Sequence, residues 1–481
     1  MKILLSLLVL FQLHADILQD LDTYIEKERV KRNVPGVAVV VVEGDTIVFA
    51  KGYGIREVNK TDKVDDNTIF QLASVSKTFT SAGVGSLVDE GKLSWDEEVI
   101  RHLPGFTLKD VYATRYSSAR DLLAHRTGLP AFQGDLLGII GLPRDEILYR
   151  IRFVKPGASF REKALYSNLG FFSAGELVAK LSNTTFEDAI KKRLLTPLEM
   201  NRTGFAELVN DANIAKPHAL INKVLKAIPR EDSKLFAAAG GVFSTARDLG
   251  NWMILHLNEG KFKGKSVLRP ETIHEMHKPS MVADVSFTET PPITENSGYT
   301  FGLGWDSFHF QNALIVEKSG ALDGVRSIVT LVPEKKLGIA IIANLNLTPL
   351  PEIIRAEYLN KVFGVKANYD KAFQEFDETI EKIFAIPKPD KALPLSHTLD
   401  SFMGVFNSEV YGNAEIKKDG DKLSLIFGPV KATLTHYSGD VFILTWPSID
   451  YGHQKVTFTF DENGHAYKFG TETLGDFERK E

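Results

Sequence analysis

The chain has 481 residues, of which 43% are hydrophobic and 25% are charged, and its formal net charge is −5. At roughly 100–200 residues per domain this length predicts two or three domains, and the composition supplies a large core and argues against a disordered chain. The charge balance excludes nucleic acid as the expected partner, since nucleic-acid binders carry a basic excess. Cysteine is absent, which excludes disulfides, thiol catalysis and zinc–thiolate sites.

The first residues have the pattern of a secretory signal. Met1-Lys2 is a short positive start, residues 3–11 are apolar apart from Ser6, and Ala15 is a small residue before a cleavage point. This run is too short to span a bilayer, so it predicts a signal peptide at residues 1–15 and a secreted or periplasmic protein. The alternative is a buried N-terminal helix or strand. No other stretch reaches about 18 uninterrupted apolar residues, and no transmembrane segment is predicted.

The next segments predict a helix and a hairpin. Between residues 17 and 31 apolar side chains recur at three- and four-residue steps, as on an amphipathic helix. Residues 37–42 are a β-branched run, a turn follows at Glu43-Gly44-Asp45, and residues 46–53 have a second strand pattern. This order predicts a β-hairpin.

Strand patterns then return only after a long helical stretch. Residues 74–198 are mostly helical by pattern, and strands are predicted at 314–316, 326–332 and 337–343. Because strand sequence lies on both sides of the helical stretch, we expect the two ends to join in one sheet. The predicted fold class is α/β (α+β), an antiparallel sheet flanked by helices plus an all-helical lobe.

The composition shifts after residue 363. Apolar residues between 373 and 384 suit a short helix, prolines at 387, 389 and 394 suit a linker, and short alternating segments from residue 402 onward predict a small all-β module, sheet or barrel. The predicted division is a signal peptide at 1–15, a hydrolase-like domain at 16–365, a linker at 366–395 and a β-rich C-terminal domain at 396–481.

The strongest chemical motif is Ser74-Val75-Ser76-Lys77, the only Ser-x-x-Lys in the chain. Helical residues three apart lie on one face with Cβ atoms about 5–6 Å apart, so Lys77 can reach the Ser74 hydroxyl. The amino end of the helix adds a positive field and free N–H groups. A lysine with an ordinary pKa near ~10.4 is a poor base at neutral pH, but burial or a second cation would lower that pKa.

Two distant tripeptides supply further groups. Tyr166-Ser167-Asn168 follows a Pro-Gly break, and its phenol could serve as a general base beside ammonium groups. Lys318-Ser319-Gly320 ends a predicted strand, where Lys318 offers a second cation and Gly320 lets a substrate backbone approach the strand edge. Taken alone, Tyr166 is also consistent with a half-buried aromatic residue of the core, and Lys318 with a charged residue on the surface.

In this order and spacing the three motifs resemble those of the serine β-lactamase and penicillin-binding-protein superfamily. The middle tyrosine is similar to the class C β-lactamase, D-aminopeptidase and esterase branch, and the resemblance covers residues 17–363. The C-terminal module is similar to a lipocalin-like β-domain found on some members. Other matching stretches are residues 121–130, 197–200, 239–245 and 302–305.

The resemblance implies a role for each motif residue. Ser74 attacks a carbonyl and is acylated, while Lys77 and Tyr166 share the proton transfers. Asn168 binds Lys77 or a substrate amide, and Lys318 tunes the electrostatics and meets a substrate carboxylate. The N–H groups of Ser74 and Ala321 form the oxyanion hole beside Ser319 and Gly320. Neither a metal nor another cofactor is implied.

Two details bear on these expectations. Arg126 stands where the family has a small polar residue, and we interpret it as structural, with an altered pocket as the alternative. His274 and His277 lie three residues apart, whereas the zinc motif of metalloproteases needs four.

The sequence therefore predicts a serine hydrolase that acts through an acyl-enzyme on an amide or ester of a small molecule or peptide. A D-amino-acid peptide or carboxylester ranks above a β-lactam, because secreted β-lactamases seldom carry an extra β-module. The alternative is a non-catalytic peptidoglycan- or ligand-binding protein on the same fold. The C-terminal domain is expected to shape the substrate crevice, bind a separate ligand or join a homo-oligomer.

Overall fold

The computed structural model describes residues 2–283, 298–386, 388–448 and 452–480, without the side chains of residues 2–16, 381, 383 and 384. In the predicted signal peptide, residue 1 and the side chains of residues 2–15 lie outside the described part of the chain. Pro387 of the predicted linker also lies outside it. No helix within the described ranges combines the length and apolarity needed to cross a membrane.

The helices of the described residues are α1 (Lys2–Lys31), α2 (Ser76–Asp89), α3 (Val111–Tyr116), α4 (Ala119–Leu123), α5 (Arg144–Arg150), α6 (Asn168–Ser182), α7 (Phe186–Ile190), α8 (Ala237–Gly240), α9 (Ala246–Leu257), α10 (Pro270–His277), α11 (Leu350–Phe363), α12 (Asp370–Phe384) and α13 (Leu399–Phe402). The strands up to residue 343 are β1 (Gly36–Glu43), β2 (Thr46–Gly54), β3 (Phe70–Gln71), β4 (His218–Ile221), β5 (Val224–Ala227), β6 (Phe243–Ser244), β7 (Lys261–Phe262), β8 (Lys265–Ser266), β9 (Met281–Val282), β10 (Thr300–Phe301), β11 (Asp306–Phe310), β12 (Ala313–Leu322), β13 (Val325–Val332) and β14 (Leu337–Ala343). The C-terminal strands are β15 (Gly404–Ser408), β16 (Gly412–Asp419), β17 (Lys422–Phe427), β18 (Val430–Ser438), β19 (Val441–Thr445), β20 (His453–Phe460), β21 (Ala466–Thr471) and β22 (Gly475–Arg479).

The chain forms two compact units. The first comprises Met1–Trp95, Ala174–Arg230 and Ala237–Asp377. The second comprises Asp96–Ser173, Glu231–Phe236 and Glu378–Glu481.

The first unit is organised around an antiparallel sheet in the order β2-β1-β14-β13-β12-β11-β10-β9. β1 pairs with β14 from Val37 opposite Ala343 to Glu43 opposite Leu337, so the early hairpin joins the late strands as predicted. All of β14 and all but the last residue of β1 are buried, since α9 covers one sheet face and α1 and α11 cover the other. Burial on both faces explains why the segment at residues 37–42 is apolar throughout instead of alternating.

Two buried ion pairs join the sheet to α11. Glu317 on β12 accepts from Arg355 at 3.0 Å, and Arg326 on β13 lies 2.7 Å from Glu352. All four side chains are at most 2% exposed. Because an unpaired buried charge is strongly destabilising, these pairs fix how α11 lies on the sheet.

The second unit contains α3 to α5, the first residues of α6, and a closed antiparallel barrel of β15 to β22. Aromatic rings fill the barrel interior, with Phe469 and Phe477 stacked at 4.7 Å and Phe406 edge-on to Phe469 at 5.1 Å. A barrel of this size is filled by side chains. The predicted fold class, a helix-flanked antiparallel sheet followed by a small all-β domain, is confirmed.

Arg126, the departure noted in the sequence, contacts a buried carboxylate of the second unit. Its Nε donates to Asp121 Oδ1 at 2.6 Å, and Arg161 donates to both oxygens of Asp121 at 2.8 Å. The Asp121 side chain is fully buried and also accepts from Ser118 N and Oγ. Arg126 therefore stabilises a buried acid at the start of α4, in line with a structural role.

Candidate active site

The predicted nucleophile lies in the turn that leads into α2. Residues 73–75 form one 3₁₀ turn and α2 begins at Ser76, so Ser74 is held at the amino end of the helix with a half-buried side chain. The Lys77 side chain is fully buried, and its Nζ lies 3.1 Å from Ser74 Oγ and 2.8 Å from the carbonyl oxygen of Ala239. The spacing of three residues thus brings the amine within hydrogen-bond distance of the hydroxyl, away from water.

The backbone is strained immediately before Ser74. Ala73 has φ of 50°, in the left-handed region that costs a residue with a Cβ roughly 1–2 kcal/mol. Such strain persists where the surrounding structure requires it, often at functional sites. Sequence reasoning missed Ala73, since alanine does not mark a left-handed position as glycine or asparagine does.

Residues 318–321 lie on β12 beyond the reach of its neighbour β11. The β11 ladder runs from Phe310 opposite Ala313 to Asp306 opposite Glu317, whereas the pairing with β13 continues through Lys318, Ser319, Gly320 and Ala321. One edge of this segment therefore stays outside the β11 ladder. This is the edge at which the sequence predicts substrate binding.

Gly320 brings this strand against the nucleophile turn. A Cβ on Gly320 would lie 2.4 Å from the Leu72 carbonyl oxygen, 2.7 Å from Ser327 Oγ and 2.8 Å from Ser74 N. The predicted reason for a glycine was the approach of a substrate. The structure adds that any side chain here would collide with the backbone that presents Ser74.

Gly320→Ala is therefore expected to lower kcat/KM by about 10²-fold, because the added methyl displaces the Ser74 amide, an oxyanion donor of the predicted mechanism. Gly105→Ala is the matched control, since its Cβ would meet only Leu148 at 3.7 Å. Steady-state kinetics and thermal unfolding of both variants test this. Unchanged kinetics in a folded Gly320→Ala protein would contradict it.

Lys318 is held by an acid that the sequence analysis did not identify. Its Nζ lies 3.0 and 3.1 Å from the two carboxylate oxygens of Asp306, and Tyr299 OH donates to Asp306 at 3.1 Å. Lys318 and Asp306 are 2% and 4% exposed. The sequence offered no signal for this pairing, since Asp306 lies 12 residues from Lys318 and is opposite Glu317 in the ladder. The second cation predicted for the site thus has a carboxylate as its counter-ion.

The second unit holds the Tyr166 motif in an aromatic cluster. The Tyr166 ring lies 4.5 Å from the ring of His125 and 5.4 Å from that of Phe132, and Phe132 N donates to the Tyr166 carbonyl oxygen. His125 Nδ1 accepts from Ser167 N at 3.0 Å and is therefore the unprotonated ring nitrogen. These contacts fix the peptide group that follows Tyr166.

Asn168 is the first residue of α6, and its Nδ2 donates to Asp135 Oδ2 at 2.8 Å. Sequence reasoning missed Asp135, which lies 33 residues before its partner. The predicted site residues thus fall into two groups. Ser74, Lys77 and residues 318–321 belong to the first unit, whereas Tyr166 and Asn168 belong to the second.

The described residues contain no group of three or more His, Asp or Glu side chains placed to hold a metal ion. His277 lies buried with its Nε2 3.0 Å from His256 Nδ1, while the side chain of His274 is 66% exposed near Glu259. Of the two histidines in the zinc-like sequence, His277 is therefore buried and His274 is exposed.

Residues 21–362 match the family described as Beta-lactamase, and residues 388–481 match a domain of unknown function, DUF3471. The chain is 26% identical over 360 residues to Protein flp of Staphylococcus aureus, covering 73% of this chain and 67% of that protein. It is 29% identical over 346 residues to the unguisins hydrolase ungD' of Aspergillus campestris, covering 69% and 62%.

A similar solved structure is the octameric penicillin-binding protein homologue from Pyrococcus abyssi. It superimposes with a TM-score of 0.63 at 23% identity, covering 96% of this chain and 99% of that one. The match covers nearly the whole of both chains, and it shows a shared fold.

Proposed function

The chain belongs to the β-lactamase family, and from this we propose that it is a serine hydrolase in which Ser74 forms an acyl-enzyme with an amide or ester substrate. The observation that carries the proposal is the buried amine of Lys77, 3.1 Å from the Ser74 hydroxyl. A hydroxyl is a weak nucleophile until a nearby base takes its proton. A non-catalytic binding protein would have no need of this pair.

In the proposed mechanism, Ser74 Oγ attacks the substrate carbonyl while its proton passes to Lys77. Tyr166 takes part in the proton transfers on the strength of the motif order, and it or Lys77 returns a proton to the leaving group. The developing oxyanion is bound by the N–H groups of Ser74 and Ala321. Water, activated by the same groups, then attacks the acyl carbonyl and frees Ser74.

The counter-ion of Lys318 supports a ranking of substrates. β-Lactam antibiotics carry a carboxylate that a free lysine would attract, but the Lys318 charge is balanced by Asp306. We therefore rank neutral carboxylesters above β-lactams on this ground, and D-amino-acid peptides above β-lactams on the domain arrangement alone.

The proposal is tested by incubating the protein with a fluorophosphonate probe and, separately, with a β-lactam. Intact-mass spectrometry and peptide mapping are expected to show one adduct, located on Ser74. Turnover of D-peptides, p-nitrophenyl esters and cephalosporins then ranks the substrates. Absence of any adduct would favour the non-catalytic binding protein, and preferential turnover of cephalosporins would overturn the ranking.

Asp306→Asn is expected to lower KM for a substrate with a carboxylate by roughly tenfold relative to a neutral ester, because Lys318 loses the negative charge of Asp306. The variant is also expected to be less stable, since it breaks a buried pair. The measurement is the ratio of KM values for a matched pair of esters with and without a carboxylate. An unchanged ratio would show that Lys318 does not contact the substrate carboxylate.

We propose export from the cytoplasm, on the basis of the apolar run at residues 3–11. Sequencing the amino terminus of the mature protein from the expressing cell tests this, with cleavage near Ala15 as the expected result. We also propose a homo-oligomer that uses the C-terminal barrel, prompted by the octameric fold relative. Light scattering of the full chain tests the oligomer.

A further inference from the structure

The tip of the first barrel hairpin is buried, although such turns commonly face solvent. The turn between β15 and β16 contains Glu409, Val410 and Tyr411, of which Val410 is 8% and Tyr411 3% exposed. Both side chains are therefore buried, while Glu409 beside them is exposed.

Polar contacts hold this tip in place. Tyr411 OH accepts a hydrogen bond from Gly134 N at 3.0 Å. Arg150 on α5 donates from Nη1 to the carbonyl oxygens of Glu409 at 3.0 Å and Val410 at 3.3 Å. A buried N–H without an acceptor is costly, so the phenol of Tyr411 stabilises the conformation of Gly134.

A second barrel turn packs against the same segment of the chain. Gly428, between β17 and β18, has φ of +48°, and a Cβ there would lie 2.4 Å from the carbonyl oxygen of Ile140. Pro429 lies 3.6 Å from the position of a Cβ on Gly141. Two turns of the barrel therefore support residues 134–141 at both ends.

This supported segment carries the residue that holds Asn168. Gly134 has φ of +90°, and a Cβ there would lie 2.5 Å from Leu169 Cδ1, so the segment is packed on the first turn of α6. Asp135, the next residue, accepts from Asn168 Nδ2 at 2.8 Å. Since a carboxylate only accepts, Asp135 binds the amino end of the Asn168 amide and so fixes the orientation of that amide.

From this chain of contacts we infer that Tyr411 of the C-terminal barrel is a positioning residue, which fixes Asp135 and thereby the orientation of Asn168 toward an amide group of the substrate. The inference rests on the proposed function for the reaction itself. It gives the C-terminal domain a part in selecting substrates with an amide group, such as peptides, over simple esters.

Tyr411→Phe tests the inference, because it keeps the ring and removes the acceptor of Gly134. It is expected to raise KM for a peptide substrate about tenfold and to leave KM for an ester without an amide group within about twofold, the scale of one lost hydrogen bond. Tyr467→Phe is the matched control, since Tyr467 lies on the barrel strand β21 and is 44% exposed. An equal effect on both substrate types would indicate a general loss of structure and overturn the inference.

The double variant separates positioning from stability. In an Asn168→Ala background, Tyr411→Phe is expected to have no further effect on peptide KM. Independent effects that multiply would show that Tyr411 acts by another route.

A readout that needs no activity keeps the test decisive if the proposed function fails. Hydrogen–deuterium exchange in residues 133–141 is expected to be at least about tenfold faster in Tyr411→Phe than in wild type, with the rest of the barrel unchanged. Absence of any Ser74-dependent turnover would refute the proposed function, whereas unchanged exchange in this segment would refute the role of Tyr411.

Discussion

Ser74→Ala is expected to lower kcat by about 10⁵–10⁶-fold on the preferred ester or peptide, the scale of losing the nucleophile of a serine hydrolase. The fold should be unaffected, because Ser74 is half-buried and its hydroxyl contacts the Lys77 amine at the entrance to α2. Stopped-flow and steady-state kinetics of wild type and Ser74→Ala give the ratio. Retention of more than about a hundredth of the activity would show that another group is the nucleophile.

Lys77 should behave as part of the same group. Lys77→Met is expected to lower kcat by about 10²–10⁴-fold, the usual contribution of a positioned acid–base residue. In the double variant with Ser74→Ala, no further loss is expected, because residues that act as a unit are not additive. The exposed Lys265→Met serves as the control. A multiplicative double variant would mean that Lys77 supports structure and not the nucleophile.

The parts of the site that the sequence could reveal depend on local spacing. Ser74 and Lys77 are three residues apart where a 3₁₀ turn leads into α2, so the helical spacing assumed from the sequence was enough to predict their contact. Asp306 and Asp135 were missed because their partners, Lys318 and Asn168, lie 12 and 33 residues away. Only the fold brings such pairs together, and the sequence around an aspartate does not indicate which residue it will pair with.

The fold, too, could be predicted from the sequence only in part. The joined sheet could be predicted because β1 and β14 are apolar runs, the pattern expected for strands buried on both faces. The barrel strands β15, β21 and β22 could not be predicted one by one from the sequence. They are short and carry few apolar residues; Gly475–Arg479, for example, has one buried phenylalanine. Pairing with the neighbouring strands of the barrel, more than their own residue pattern, makes these segments strands.

Asp121→Asn is expected to destabilise the protein by about 3 kcal/mol, because it breaks hydrogen bonds from Arg126, Arg161 and Ser118 to a fully buried carboxylate. Removing one member of a buried pair costs about 3–5 kcal/mol. The lower end applies here, since Arg126 and Arg161 are 17% and 45% exposed and regain water when the acid is lost. Asp96→Asn is the control: Asp96 pairs with Arg120 at 2.6 Å but is 63% exposed, so under about 1 kcal/mol is expected.

The effect of Asp121 should also depend on pH in a defined direction. Burial alone would raise the pKa of Asp121, but hydrogen bonds from Arg161 and Ser118 outweigh it and hold the pKa below its ordinary value of 3.8. A carboxyl with a lowered pKa in the folded state stabilises above the unfolded pKa, and this contribution disappears as pH falls through the folded value. The difference in unfolding free energy between wild type and Asp121→Asn should therefore be constant above about pH 5 and shrink below pH 3.8. Urea titrations of both proteins between pH 3 and 7 measure it. A difference that grows on acidification would mean that Asp121 is already protonated in the folded protein and acts only as a neutral hydrogen-bonding group.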